Sequence, residues 1–155
     1  MKQIFLSMAV SLCLISFISC SNDEENEVDL RLGSVPEQSI NIDNRFELTL
    51  SETVLDPSNM QPIKGIVANH SEEEIVMGEE YNIEYYKDSK WYEVPFPENF
   101  CFTDIGLIVR PNGTNDFNIY FFPDNYKYKS GKYRVCKYIA GGGGRQWIVA
   151  EFIVK

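Results

Sequence analysis

A two-residue rhythm of apolar and polar side chains, interrupted at short intervals by turn residues, constrains this chain more than any other feature. Phe46-Glu47-Leu48-Thr49-Leu50 places three apolar side chains on one face and polar ones on the other, as a half-buried strand requires. The same rhythm marks strands at 63–68, 81–86, 91–94, 105–109, 117–121, 133–139 and 147–154. Between them lie Asp56-Pro57-Ser58-Asn59, Asn69-His70-Ser71, Lys87-Asp88-Ser89-Lys90, Pro111-Asn112-Gly113-Thr114 and the glycines at 141–144, all with turn chemistry. Past residue 20 no segment keeps a helical period for three turns. Short strands spaced by turns predict an antiparallel sandwich or barrel rather than parallel βαβ units.

The expectation is an all-β chain: a single antiparallel immunoglobulin-like β-sandwich of seven to eight strands after a signal peptide and a polar tether. Further blocks support this. Gly78-Glu79-Glu80-Tyr81-Asn82-Ile83-Glu84 and Lys90-Trp91-Tyr92-Glu93-Val94-Pro95 come first. Phe102-Thr103-Asp104-Ile105-Gly106, Gly131-Lys132-Tyr133-Arg134-Val135 and Ala150-Glu151-Phe152-Ile153-Val154 follow. Together, over roughly residues 45–155, they resemble a bacterial Ig-like domain of secreted proteins and lipoproteins. The resemblance implies a sandwich fold and supplies no catalytic motif to carry over; fold by itself does not supply function.

Tyr133, at the start of a late strand, resembles a tyrosine corner, whose hydroxyl bonds back to nearby backbone. In antibody domains the inter-sheet cysteine follows that tyrosine by two residues. Here Val135 holds that place and Cys136 lies one step beyond. A one-residue step reverses the face, so Cys136 is expected to point outward. A Cys101–Cys136 disulfide would then lie on an outer face or rim; two free thiols are the alternative.

The front end fixes an address. Lys2 precedes an apolar run from Ile4 to Ile18 of about 15 residues, shorter than the roughly 20 a spanning helix needs. Phe17-Ile18-Ser19-Cys20 resembles a lipobox, with Phe17 where leucine is usual. Residues 1–19 therefore read as a lipoprotein signal peptide and Cys20 as the lipidated residue. Ser21-Asn22-Asp23-Glu24-Glu25 resembles the acidic export signal of surface lipoproteins in bacteroidete-type bacteria. Residues 20–39 read as an acidic tether and 40–155 as the domain. The implied location is the outer membrane, lipid-anchored and facing the cell surface, with the N-terminal lipid as the membrane contact.

The formal charge of −9 argues against nucleic acid as a partner. No catalytic constellation is legible, and the expectation is a protein that is not an enzyme and takes no cofactor. The only histidine, His70, lacks the HxxxH or CxxC spacing of a metal site, so no metal is expected. The glutamates at 72–74 and 79–80 do not match a calcium loop. The glycines at 141–144 lack the Lys-Ser/Thr of a phosphate loop. As a hairpin tip they take the place of an antibody's third hypervariable loop, with Arg145 and Trp147 beside them.

Aromatic residues carry the remaining signal. Tyr85 and Tyr86 cannot both face one core, nor can Trp91 and Tyr92, and Tyr120 falls opposite Ile119. Sugar rings stack on exposed aromatic faces. Tyr86, Trp91, Tyr120, Arg145 and Trp147 are therefore the candidate ligand-binding residues, for a glycan or a protein. The first functional expectation is a noncatalytic surface-displayed binding or accessory module. The alternative is a structural partner in an outer-membrane lipoprotein complex.

Overall fold

A computed structural model describes residues 30–141 and 144–155. The signal peptide, Cys20 and the acidic run behind it lie outside the described residues. Eleven strands form among the described residues: β1 (Arg31–Leu32), β2 (Phe46–Leu50), β3 (Val54–Leu55), β4 (Ile63–Asn69), β5 (Ile75–Met77), β6 (Asn82–Lys87), β7 (Lys90–Glu93), β8 (Leu107–Val109), β9 (Gly113–Ile119), β10 (Gly131–Gly141) and β11 (Gly144–Val154). A single 3-10 turn covers Glu37–Ser39, and no α-helix occurs among the described residues. All eight strands legible in the alternation are present. β1, β3 and β5 are additions of two or three residues, too short for a periodic signal.

The strands make two sheets, consistent with an Ig-like sandwich. The larger runs β1-β7-β6-β10-β11-β3, with β5 joined to β10 beyond the end of β6 and β8 outside β5; the smaller is β2-β4-β9. The β10–β11 hairpin pairs along its whole length, from Gly131↔Val154 to Gly141↔Gly144. Between the named strands the pairing is antiparallel with one departure, the two-residue parallel match of β3 to the end of β11. The Pro111-Asn112 turn carries the chain from the large sheet into the small one. Asn112 takes φ 53°, and Gly113 N–H donates to Arg110 C=O at 3.1 Å. Asp88 and Ser89 close the β6–β7 hairpin with φ of 50° and 62°, the left-handed pair that suits a two-residue connection.

The facing sides of the sheets supply the core: Val67 and Ile119 from the small sheet, Ile83, Tyr133, Ile148 and Phe152 from the large one. At Gly65 a side chain has no room, because a Cβ there would sit 2.5 Å from the Phe117 ring. Tyr133 forms the expected corner. Its hydroxyl donates to Lys129 C=O at 2.9 Å and accepts from Lys129 N–H at 3.1 Å. One core position breaks the apolar pattern. Lys137, in step with Tyr133, Val135 and Ile139, is buried, with its ammonium 4.0 Å from the Phe117 ring centroid.

The domain begins earlier than residue 40. β1 pairs with β7, and Gly33 N–H donates to Trp91 C=O at 3.0 Å. The chain then crosses the outer face of the large sheet as a strap. Val35 is buried, Glu37 reaches Arg134, and Ile40 bridges to Trp147 on the far side. Residues 30–39 are thus part of the fold, although their polar composition reads as tether.

The strap also corrects the expectation for Cys136. Its side chain does lie opposite Tyr133 and Val135, but that face is roofed and Cys136 is buried. Cys101 and Cys136 are free thiols, one exposed in the β7–β8 loop and the other beneath the strap, so the disulfide is not formed.

Candidate functional site

On the outer face of the large sheet, register brings together residues far apart in sequence. β6 and β7 place Tyr86 opposite Trp91, with ring centroids 4.9 Å apart and planes tilted by 54°. β10, next to β6, sets Arg134 opposite Glu84. The Arg134 guanidinium carbon lies 4.2 Å from the Trp91 ring centroid, and Lys132 Nζ lies 5.6 Å from it and 5.7 Å from that of Tyr86. Cations over aromatic faces are attracted by the ring quadrupole. Tyr86, Trp91, Glu84 and Arg134, with the strap's Leu32, Gly33, Val35 and Glu37, line a cleft of about 480 Å³, within the roughly 300–1,000 Å³ typical of small-molecule sites.

The floor of the cleft is an ionic network. Glu84 is fully buried and its Oε2 accepts from Arg134 Nε at 2.6 Å, with Arg134 Nη2 also 2.6 Å away. Arg134 Nη2 donates at 2.7 Å to Oε1 of Glu37 on the strap. Cys136 Sγ lies 3.6 Å from Glu84 Oε2. Glu84 Oε1 has no hydrogen-bond partner among the described residues and faces Gly33, where a Cβ would approach it to 2.2 Å. Only glycine lets the strap lie this close. A buried carboxylate is tolerated because the guanidinium compensates it. Burial works to lower the Arg134 pKa, but the Glu37 and Glu84 carboxylates outweigh it and the net shift is upward. Burial chiefly, with the Glu84 charge second, pushes the Cys136 thiol up and keeps it protonated.

The five candidate residues fall in four places. Tyr86 and Trp91 share the cleft. Trp147 lies on the same outer sheet face, 5.3 Å from Tyr138, where the strap ends. Arg145 lines a separate cleft of about 320 Å³ with Asp43, Arg45 and Gln146. Tyr120 lines a third, of about 400 Å³, with Cys101, Phe100, Phe102 and Asp116. There Tyr81 holds the Tyr120 backbone, its hydroxyl accepting from Tyr120 N–H at 2.7 Å; burial pushes that hydroxyl up to about 12. His70 is exposed in its turn, 3.8 Å from Glu47. Among the described residues no three metal-ligating side chains converge, and no helix is long and apolar enough to cross a membrane.

Sequence reasoning missed Glu37, Glu84 and Arg134. Each reads as an ordinary outward charge on a strand or tether. The one available signal was register: Arg134 and Cys136 share a face, and a cysteine there suits a covered surface better than an open one.

The sequence pattern of the bacterial Ig-like domain matches residues 38–152, and the chain belongs to that family. Comparison with curated proteins returns no match. Among solved structures, an alkylpurine DNA glycosylase of Pseudomonas fluorescens is similar at 12% identity and TM-score 0.36, over 72% of this chain and 30% of its own. A β-glucosidase of Erythrobacter marinus is similar at 11% identity and TM-score 0.36, over 71% of this chain and 15% of its own. A β-glucosidase of Listeria innocua in complex with glucose is similar at 17% identity and TM-score 0.33, over 70% and 16%. The chain spans less than a third of the length of each, and likeness at this level carries nothing about activity.

Proposed function

We propose that this protein is a noncatalytic, lipid-anchored Ig-like binding module on the outer face of the outer membrane, and that the Tyr86–Trp91 cleft holds its ligand, a glycan. Membership of the family supports an accessory or binding role. The observation that carries the ligand class is the pairing of two half-open aromatic rings with fixed charges in one cleft of small-molecule size. A sugar offers C–H faces to such rings and hydroxyls to the charges. The address rests on the apolar run and Cys20. Incorporation of labelled palmitate that survives Cys20→Ala would refute it.

Glycan-array binding followed by calorimetry tests the site. Trp91→Ala should weaken binding by roughly tenfold, the 1.4 kcal/mol scale of a truncated binding aromatic. Tyr120→Ala, in a different cleft, should leave it unchanged. Equal losses in both variants, or no glycan bound by the intact protein, would remove the assignment.

A second reading, a structural partner in a lipoprotein complex, is favoured by the exposed pair Val76 and Ile108, which sit opposite each other on β5 and β8 at 45% and 53% exposure. Co-purification of a membrane partner under mild detergent, lost on Ile108→Glu, would support it.

A further inference from the structure

We propose that the cleft selects a carboxylate-bearing sugar, a uronic-acid glycan, and that the strap's Glu37 occupies the acid-binding position until ligand displaces it. This inference rests on the glycan reading of the same cleft. Arg134 is preorganised for the task. One edge of its guanidinium is held by buried Glu84, and its carbon lies 4.2 Å from the Trp91 ring centroid. Its side chain is 5% exposed, whereas that of Glu37, its partner at 2.7 Å, is 66% exposed. The guanidinium is therefore fixed and the carboxylate upon it is free to leave into water. Planar, charge-assisted pairing to carboxylates is the interaction arginine makes best.

The charge balance requires displacement rather than addition. Glu84 already offsets Arg134. With Glu37 in place the group carries one excess negative charge, and a bound uronate beside Glu37 would add a second at close range. A uronate replacing Glu37 leaves the balance as it stands. Lys90, on the rim, adds positive charge at the approach, whereas Lys132, above the two rings, is already paired with Glu151. The overall charge of −9 opposes an acidic ligand at distance, but this field is screened beyond about 8 Å at physiological salt.

The test is calorimetry on the intact protein with a glucuronic-acid tetrasaccharide and a neutral glucose tetrasaccharide. The intact protein should prefer the acidic probe. Glu37→Gln should tighten that probe by about fivefold, equivalent to about 1 kcal/mol at 1.4 kcal/mol per decade, and so widen the preference for it over the neutral one. Equal affinity for both probes with no response to Glu37→Gln would overturn this inference while leaving the glycan reading intact. Binding of neither probe by either protein would overturn both. Weaker binding of the acidic probe by Glu37→Gln, with Cys136 newly reactive to thiol reagents, would make Glu37 a strap support only and refute the displacement.

Discussion

Lys137 should make the stability of this domain rise with pH over a window where most proteins are flat or falling. The residue is buried between the sheets, where its ammonium donates to Gly78 C=O at 2.7 Å and Glu80 C=O at 2.8 Å over the Phe117 ring. Burial chiefly lowers its pKa from 10.5 to about 8, with Glu79 and Glu80 acting weakly in the other direction. At 1.36 kcal/mol per unit this difference corresponds to roughly 3 kcal/mol. The unfolded chain holds this proton more tightly than the native one, so folding becomes more favourable as pH rises from about 8 towards 10.5. About 2 kcal/mol of the effect falls between pH 7 and 9.5 by the same linkage. The buried tyrosines Tyr81, Tyr128 and Tyr133 oppose it only above their ordinary value of 10, because their raised pKa values give stability that is lost as the unfolded chain ionises. Urea denaturation of the intact protein and Lys137→Met at both pH values isolates the term, since the tyrosines are common to the two. The difference between the proteins should shift by about 2 kcal/mol in favour of the intact one at the higher pH. Parallel pH profiles would refute the reasoning and show Lys137 to be as well solvated in the fold as outside it.

Gly33→Val should lift the strap, because the new side chain would collide with Glu84, which is fully buried and has nowhere to move. In a Cys101→Ser background with Cys20 acylated, Cys136 should react with a thiol reagent at least tenfold faster, a factor equivalent to 1.4 kcal/mol. Stability should fall by roughly 2–3 kcal/mol as Val35 is exposed; continued protection of Cys136 would mean the strap adapts. Tyr133→Phe removes a hydroxyl that serves both backbone groups of Lys129. It should cost roughly 1–3 kcal/mol in chemical denaturation, and a neutral outcome would make the corner a by-product of packing.

The β-rich architecture was legible because alternation is a local signal. Each long strand carries its own inward face, and Pro111-Asn112-Gly113 and Lys87-Asp88-Ser89-Lys90 announce their turns. The cleft was legible only in its aromatic half. Tyr86 and Trp91 could be placed opposite each other from the hairpin they flank. Glu37, Glu84 and Arg134 could not, because their meeting depends on β6 lying beside β10 and on a strap with no periodicity of its own. Cys136 illustrates the limit. Its face follows from counting, but what covers that face depends on where residues 33–41 travel. Lys137 is the converse case, a charged residue at an inward step that the pattern marks as anomalous without naming its partners.

The way β11 is bordered bears on how this domain avoids its neighbours. An eleven-residue strand at a sheet margin is a template for a foreign strand. On β11 the odd-numbered backbone groups point away from β10. Near one end, Trp147 C=O accepts from Asn41 N–H, and Asn41 Oδ1 takes the N–H of Val149. At the other, Ile153 N–H donates to Thr53 C=O and Lys155 N–H to Leu55 C=O. Between these clamps the outward amide left over belongs to Glu151, which carries a charge paired with Lys132 at 2.8 Å. A crowded surface could not recruit this margin into a growing sheet while both clamps hold. Strap release would therefore open a self-association edge as well as a cleft, and light scattering of Gly33→Val would register it as concentration-dependent oligomers.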